Sequence, residues 1–336
     1  MRKRFLSTIA LAGAAALTIA GCSSDGDGDT PDDAATGGTG GGETTETITV
    51  GFAQTGAESG WRSANTESMQ SAFSEENGFD LVFNAADNDP AAQISAVRNF
   101  INQGVDAIVI APVVEDGWDD VLKEAQDAGI PVILEDRTVT APEDLYAAWV
   151  GLDFKAEGVK AGEWAVQEFG DEPTNMVVLE GTTGSAPAND RAEGFNEAIA
   201  GSAIETLDSQ TGDFTRDGGK SVMEGYIANY GIDAIDLVYA HNDDMGLGAI
   251  EAIEAAGGKP GEDIKIVTID AVKDGMQALV DGKINFIVEC NPLLGEKAAE
   301  LVKAVLNGEE VEKVQFVEDQ SFTQEQAAEV IDSRPY

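Results

Sequence analysis

The 336-residue sequence is poor in the side chains that most often bind metals or form cross-links. It contains two cysteines, Cys22 and Cys290, and one histidine, His241. These positions lack the spacing of zinc ligands, so the sequence argues against a metal site, and no cofactor is expected. A disulfide framework is also excluded once Cys22 is modified, as the residues around it indicate below.

Basic residues are scarce as well. Lysine and arginine number 20 against 62 aspartates and glutamates, which gives a formal net charge of -42. A surface this acidic repels nucleic acid and anionic lipid heads, so neither is expected as a partner. The charge does not point to a cationic ligand, because most of it should lie on solvated helix faces. The length and the apolar fraction of 43% are sufficient for two domains with real cores.

The apolar run near the N-terminus, residues 6–19, is too short to persist as a membrane-spanning helix. It follows the basic segment Met1–Arg4 and ends in Ile19-Ala-Gly-Cys22. This order resembles a bacterial lipoprotein signal, whose cysteine is acylated and becomes the mature N-terminus; a plain secretory signal with a chance cysteine is the alternative. We therefore expect a signal peptide over residues 1–21. Lipids on Cys22 would anchor the protein to the outer face of the cytoplasmic membrane, in the periplasm or at the cell surface.

Residues 22–46 consist mainly of Gly, Thr, Asp and Ala without an apolar cluster. Such a segment cannot bury enough surface to offset the entropy cost of ordering it. We expect an acidic, disordered linker between the lipid anchor and a folded part that begins at Thr47.

From Thr47 onward, apolar runs alternate with segments of helical periodicity. A first series has predicted strands at 48–52, 81–83, 107–110, 132–134 and 147–150, and helices at 62–76, 91–103 and 117–128. A second series has strands at 176–179, 205–208, 237–239, 266–269 and 286–288, and helices at 154–168, 190–200, 218–229, 245–256 and 273–281. A helix at 294–307 and a short strand at 314–317 follow. Mostly apolar strands in β-α order predict an α/β protein of two similar, doubly wound parallel-sheet lobes.

A Gly-rich polar loop follows the first strand and leads into a helix near Ser59. In open α/β sheets this loop lies over the ligand crevice. Glu58, Ser59, Trp61 and Arg62 supply an acceptor, a hydroxyl, a flat ring and a fork of donors, which suit a small polyhydroxylated molecule. The alternative is an ordinary helix entry, with Ser59 as N-cap and Trp61 as lid or core. Gln54, at the end of the strand, is a further candidate.

The order of motifs resembles the sugar-binding proteins of ABC importers, in the ribose- and galactose-binding branch of the type I periplasmic binding proteins. The resemblance covers residues 47–336 and is carried by 51–62, 104–112, 130–137, 190–195, 209–216, 241–245 and 268–270. Within that branch the chain is most similar to the galactofuranose-binding subgroup. The stretches that carry this finer likeness are Glu58-Ser-Gly-Trp-Arg62, 111–118, Gly212-Asp-Phe-Thr-Arg216 and 239–245.

The resemblance implies two lobes that are joined by three crossovers and close on a sugar. The N-terminal lobe would be residues 47–152 plus 290–317, and the C-terminal lobe 153–289 plus 318–336. The implied partners are a monosaccharide and an ABC permease with its ATPase, the implied oligomeric state is a monomer, and no enzyme activity is implied. A sugar sensor that presents its ligand to a membrane receptor would share the same fold, and a secreted glycosidase using paired carboxylates is a more distant alternative.

The resemblance also implies further ligand residues, each with a plainer alternative. Asp136 and Arg137 would hold sugar hydroxyls, or form a surface ion pair. Arg191 would be a second arginine ligand, beside Asp190 as ligand or helix cap. Either Arg137→Ala or Arg191→Ala is expected to remove sugar binding while the fold melts normally.

Four more positions match the family pattern. Phe214 would stack on the sugar or pack in the core, and Asn242 would bind it or cap a helix. Asp270 and Glu289 would add carboxylates, whereas His241 is expected to be a structural neighbour. The sequence departs from the family at Ala271, where Gly is usual, and at Cys290, where a small or hydroxyl residue is usual; neither departure removes a polar ligand group.

Overall fold

The computed structural model describes residues 47–336, which form two six-stranded sheets, each covered by helices. We call each sheet with its helices a lobe. The chain passes from the first sheet to the second after Gly151, returns after Glu289 and crosses again after Phe316. The signal peptide, the linker and the acylated Cys22 predicted above lie outside the described residues.

The first sheet has the strand order β11-β5-β4-β3-β1-β2, and all of its strands are parallel. Its strands are β1 (Ile48–Gln54), β2 (Phe79–Ala85), β3 (Ala107–Ile110), β4 (Val132–Asp136), β5 (Ala148–Gly151) and β11 (Val314–Phe316). The helices of this lobe are α1 (Gly60–Ala72), α2 (Pro90–Gln103), α3 (Asp119–Asp127) and α9 (Gly295–Leu306), and α9 packs against α1.

The second sheet repeats this plan with the order β12-β10-β9-β8-β6-β7. Its strands are β6 (Thr174–Glu180), β7 (Ile204–Thr211), β8 (Leu237–Ala240), β9 (Lys265–Asp270), β10 (Phe286–Glu289) and β12 (Ser321–Phe322). Its helices are α4 (Phe154–Phe169), α5 (Ala186–Ile199), α6 (Arg216–Tyr230), α7 (Asp243–Ala255), α8 (Lys273–Val280) and α10 (Gln324–Val330). Only the β10–β12 pair is antiparallel among the strands that the structure describes.

Burial explains which strands the sequence predicts well. Every residue of the central strands β3 and β8 is buried, as expected for strands covered on both faces. The edge strand β7 carries Glu205, Asp208 and Gln210 on its open side. The prediction of two doubly wound α/β lobes is confirmed, although β12 and α10 are too short to give a clear sequence pattern.

Two helix pairs approach unusually closely because glycine lines their contact. A Cβ atom on Gly158 of α4 would lie 2.3 Å from the carbonyl oxygen of Arg191 on α5. A Cβ atom on Gly248 of α7 would lie 2.1 Å from the carbonyl oxygen of Arg216 on α6. The first contact matters for function, because it sets the height of Arg191 above the second sheet.

Within residues 47–336, no helix combines the length and the apolar character needed to cross a membrane.

Candidate ligand-binding site

Loops that follow strands of both sheets meet around one cavity. Ten of the thirteen predicted ligand residues line it: Glu58, Ser59, Trp61, Arg62, Asp136, Arg137, Arg191, Phe214, Asn242 and Asp270. The parallel strands place these side chains together, since their carboxyl ends meet at the facing edges of the two sheets.

Arg62 forms three side-chain hydrogen bonds at the cavity wall. Its guanidinium donates from Nη2 to Asp136 Oδ2 at 2.6 Å and from Nε to Glu58 Oε1 at 3.1 Å. A third bond runs from Nη1 to Asn65 Oδ1 at 3.3 Å. Ser59 accepts from the Arg62 amide at 3.1 Å, so it caps helix α1 as well as lining the cavity.

Arg137 is held much more loosely, although it is equally buried. It donates from Nη1 to the carbonyl oxygen of Val113 at 3.2 Å, and its other charged neighbours lie 3.6 Å away, at Glu58 Oε1 and Asp136 Oδ2. Among the described residues, its Nε has no hydrogen-bond partner, and neither has Glu58 Oε2. Buried polar groups are normally paired, so these two cavity-lining residues keep an unused donor and an unused acceptor.

Arg191 enters the cavity from the second lobe. Its Nε donates to Glu157 Oε2 at 2.8 Å, and its Nη1 donates to the carbonyl oxygen of His241 at 2.6 Å. Its Nη2 lies 3.8 Å from Asp270 Oδ1. Glu157 is fully buried and, in the part of the chain that the structure describes, forms its ion pair with Arg191 alone, so this arginine belongs to the core of the lobe as well as to the cavity.

Each of the three guanidiniums also faces an aromatic ring. The Cζ atom of Arg62 lies 4.7 Å from the ring centre of Trp61, and that of Arg137 lies 5.4 Å from Phe214. The third pair joins Arg191 to Phe154 at 5.3 Å. Such cation–π contacts hold each guanidinium against a ring, and the Arg137–Phe214 pair joins the two lobes.

Backbone and second-layer contacts hold the remaining polar groups in place. Trp61 Nε1 donates to the carbonyl oxygen of Cys290 at 2.6 Å, which ties the first loop to the chain segment after β10. Asn242 caps helix α7 through the Met245 amide at 3.0 Å, and its Nδ2 donates to the carbonyl oxygen of Phe214 at 3.1 Å. The expected helix-capping role of Asn242 is therefore present.

Two cavity carboxylates occupy strained backbone positions. Asp136 has φ +59 and Asp270 has φ +129, and Ala271 beside Asp270 has φ +64. Such conformations cost about 1–3 kcal/mol each and cluster at functional sites. The positive φ at position 271 also explains why a glycine would be favoured there, so the departure noted in the sequence adds strain without removing a ligand group.

In the cavity lining, three arginines face the carboxyl groups of Glu58, Asp136 and Asp270. Burial alone would raise the pKa of Glu58, but the charges of Arg62 and Arg137 hold it below its ordinary value, so this carboxylate is ionised. Burial raises the pKa of Asp270 well above its ordinary range, and the charge of Arg191 opposes this rise. Burial and the repulsion of Arg62 lower the pKa of Arg137 to about 10.

One buried carboxyl lies just behind the lining. Burial and the charge of Asp136 raise the pKa of Glu135 to about 8, and Asn65 Nδ2 donates to its Oε2 at 3.2 Å.

Three predicted ligand residues lie outside the cavity lining. The Gln54 amide donates to Asn65 and Thr66. Asp190 is adjacent to Arg191 on helix α5, but it does not line the cavity. Neighbouring helical positions are turned by about 100° from each other. Glu289 accepts from Arg334 Nη2 and from the hydroxyl of Tyr336, both at 2.8 Å. It thereby ties the last residues of the chain to the crossover.

His241 is fully buried beneath the cavity. Burial and the charge of Arg191 lower its pKa to about 3, so the imidazole is neutral. Its Nδ1 accepts from the Gly181 amide at 3.3 Å. These contacts fit the structural role expected from the sequence.

Sequence reasoning missed three lining residues, Phe154, Pro187 and Cys290. Phe154 and Cys290 each follow one of the crossovers between the lobes, and that position is the signal that could have identified them. Pro187 lies in the first turn of α5, one turn before Arg191. In residues 47–336 no cluster of three or more Cys, His, Asp or Glu side chains could hold a metal ion.

A family model, that of the periplasmic binding protein domain, matches residues 50–310. Among known proteins, the galactofuranose-binding protein YtfQ of Escherichia coli K12 is 44% identical over 291 residues. The match covers 85% of this chain and 91% of that protein.

Two solved structures are also similar to this chain. A Mycobacterium smegmatis protein in complex with β-D-fucofuranose is 54% identical, with a TM-score of 0.84, over 86% of this chain and 95% of that one. The binding component of the arabinose ABC transporter of Shewanella sp. ANA-3, bound to α- and β-L-arabinofuranose, is 43% identical, with a TM-score of 0.82, over 86% and 96% of the two chains.

Proposed function

The chain belongs to the periplasmic binding protein family, and we propose that it captures a monosaccharide between its two lobes and delivers it to an ABC importer. It is a binding protein rather than an enzyme, as its sugar-binding relatives are, so the glycosidase alternative is set aside. The observation that best supports the sugar is that two residues lining the cavity, Arg137 and Glu58, keep a buried donor and a buried acceptor without partners among the described residues.

Sugar hydroxyls suit an unpaired donor and an unpaired acceptor, because each hydroxyl can donate one hydrogen bond and accept others. Neutral sugars carry hydroxyls on their edges and C–H groups on their faces. The arginine forks and the carboxylates of the cavity suit the edges, and Trp61, Phe154 and Phe214 suit the faces. An epimer with one misplaced hydroxyl would leave a buried donor or acceptor unpaired, and this supplies selectivity.

We propose a furanose as the preferred ring form, with galactofuranose or a similar sugar as the ligand. The support comes from two sides. The similar proteins described above bind galactofuranose, fucofuranose or arabinofuranose. The lining residues of the cavity also come from both lobes around a single site, which suits one sugar ring.

The proposed mechanism is closure of the two lobes around the sugar. Ligand residues come from loops of both lobes, so a bound sugar interacts with both only when they are close together. A ligand of this kind shifts the population toward the closed form. The closed form would then dock on the permease, where ATP hydrolysis in the partner ATPase drives release.

We further propose that lipids on Cys22 hold the protein at the outer face of the cytoplasmic membrane and that residues 22–46 act as a tether. Replacing the thiol should release the chain. The expected result for Cys22→Ser in cells is a shift of the protein from the membrane fraction to the soluble fraction, with sugar affinity unchanged. A Cys290→Ser variant is the matched control for membrane attachment, and its protein should stay with the membrane. Membrane retention of Cys22→Ser would contradict the anchor.

The experiment that tests the function is a calorimetric and thermal-shift screen of the mature chain against D-galactose, D-fucose, L-arabinose, D-fructose and D-ribose. A ligand at about 100 times its dissociation constant adds roughly 2.7 kcal/mol to the free energy of unfolding. Binding of galactose or fucose above the others supports the proposal, and synthetic furanosides fixed in ring form then identify the form bound. Absence of binding to every monosaccharide would refute it.

A further inference from the structure

Outside the cavity, the two lobes touch at a contact that joins Gly60 to Asp244. The Gly60 amide, at the first residue of α1 in the first lobe, donates to Asp244 Oδ2 at 2.8 Å. Asp244 lies in the first turn of α7 in the second lobe, 184 positions away in the sequence. Asp244 does not line the cavity.

The contact places a negative charge where helix α1 needs one. The first amides of a helix have no partner within the helix, and its N-terminus carries a partial positive charge. Helix α1 has no acidic residue in its own first turn. Asp244 therefore supplies from the opposite lobe the carboxylate that this helix lacks.

Arg216 fixes the direction of the Asp244 carboxylate. Its Nε lies 3.4 Å from Asp244 Oδ1, and its Nη2 donates to Asp274 Oδ2 at 3.0 Å. The side chain of Asp244 is 12% exposed, whereas that of Asp274 is 71% exposed. Solvent therefore screens the Asp244 contacts much less than it screens the Arg216–Asp274 pair.

All three residues of the contact lie within two positions of a cavity residue. Gly60 stands between Ser59 and Trp61, Asp244 is two residues after Asn242, and Arg216 is two residues after Phe214. The loops that would hold the sugar are therefore the loops that carry this contact. The complete sugar site and the contact between Gly60 and Asp244 can form together only when the lobes are closed.

We propose that Gly60, Asp244 and Arg216 form an interlobe latch, which sets how tightly and how long the protein holds its sugar without touching it. The inference rests on the proposed function. Because the latch forms only in the closed state, its loss speeds opening and leaves the first encounter with the sugar unchanged. The latch residues contact no hydroxyl of the bound sugar. Removing the latch should therefore lower the affinity for every sugar that the protein binds by the same factor.

The test compares Asp244→Ala and Asp244→Asn with the control Asp274→Asn, which removes the other carboxylate on Arg216 but no contact between the lobes. Stopped-flow and calorimetric titrations with D-galactose and L-arabinose give the rates and the dissociation constants. We expect Asp244→Ala to raise the dissociation constant about tenfold, equivalent to about 1.4 kcal/mol. The change should lie in the dissociation rate, with the ratio between the two sugars preserved. Asp244→Asn keeps an acceptor and should fall between Asp244→Ala and wild type, and Asp274→Asn should stay within about twofold of wild type.

Several outcomes would overturn the latch. Unchanged affinity in both Asp244 variants would do so, and so would a loss confined to the association rate. A changed ratio between the sugars would show that Asp244 contacts the ligand itself. If the wild-type protein binds neither these two sugars nor any other in the screen, the proposed function fails, and the latch fails with it. If wild type and Asp244→Ala bind sugar equally strongly, only the latch is refuted.

Discussion

Two arginines of the cavity should respond very differently to replacement by alanine. Arg137 makes one hydrogen bond within the protein, to Val113, and its acidic neighbours are held by Arg62 at 2.6 and 3.1 Å. Removing Arg137 therefore leaves neither Glu58 nor Asp136 without a cationic partner. The free energy of unfolding of the sugar-free protein should change by about 1 kcal/mol or less, because the remaining ion pairs stay intact.

Sugar affinity should fall strongly in the same variant. A hydrogen bond from a charged donor contributes about 1.5–3 kcal/mol. Loss of one such bond from Arg137 to a sugar hydroxyl raises the dissociation constant roughly 10- to 150-fold, and loss of two raises it further.

Arg191→Ala should lose affinity and stability together. This substitution leaves Glu157 fully buried with no partner charge, since Arg191 Nε is the group that pairs with it at 2.8 Å. Breaking one side of a buried ion pair costs about 3–5 kcal/mol. The sequence alone suggested that both variants would melt normally, and the contacts of Arg191 change that expectation for the second one.

Urea denaturation of the sugar-free proteins and calorimetric titration with the preferred sugar measure the two effects separately. Arg98→Ala is the matched control, because Arg98 is an arginine of the first lobe whose ion pair with Glu124 is about half exposed. It should change neither quantity by much. Wild-type affinity in Arg137→Ala, or an unchanged free energy of unfolding in Arg191→Ala, would refute the reasoning.

Two further predictions concern stability. The pKa of Glu135 is raised from 4.5 to about 8. Between these two pH values the folded protein keeps a proton that the unfolded chain has lost. The free energy of unfolding therefore falls as pH rises. Glu135→Gln should remove this pH dependence and be more stable than wild type at pH 9. Urea denaturation at pH 5, 7 and 9 measures the free energy of unfolding of both proteins. The prediction is contradicted if this free energy changes with pH in the same way in both. Gly158→Ala should lower stability by about 2 kcal/mol and weaken sugar binding, because its Cβ would displace helix α5 and with it Arg191. Gly225→Ala, where nothing lies within 4 Å of the added Cβ, should be neutral or slightly stabilising, and equal effects of the two alanines would refute the packing argument.

Much of the fold follows from local pattern. Strands such as β3 and β8 are short, wholly apolar and separated by helical segments, so their place in buried parallel sheets can be read directly. The convergence of the loop after β1 with Asp136 follows from the same rule, since parallel strands bring their carboxyl ends to one edge of the sheet.

What the sequence does not contain is the pairing of distant groups. Glu289 matches a ligand position of the family, but its partners Arg334 and Tyr336 lie 45 and 47 residues away, on a tail with no strong pattern. The role of Asp244 is equally hidden, because two successive acidic residues at a helix start look like ordinary capping residues. Only the folded chain shows that one of them serves a helix of the other lobe.

The contrast between an acidic exterior and three guanidiniums in the cavity has a consequence for the choice of solutes. A sugar acid or sugar phosphate could pair well with these arginines once inside. To arrive there, it must cross the repulsive field of a chain with a formal net charge of -42, which at physiological salt extends about 8 Å from the surface. Neutral sugars cross it freely. The surface charge should therefore slow the association of anionic solutes, and concentrated salt should reduce this effect without any change in the pocket.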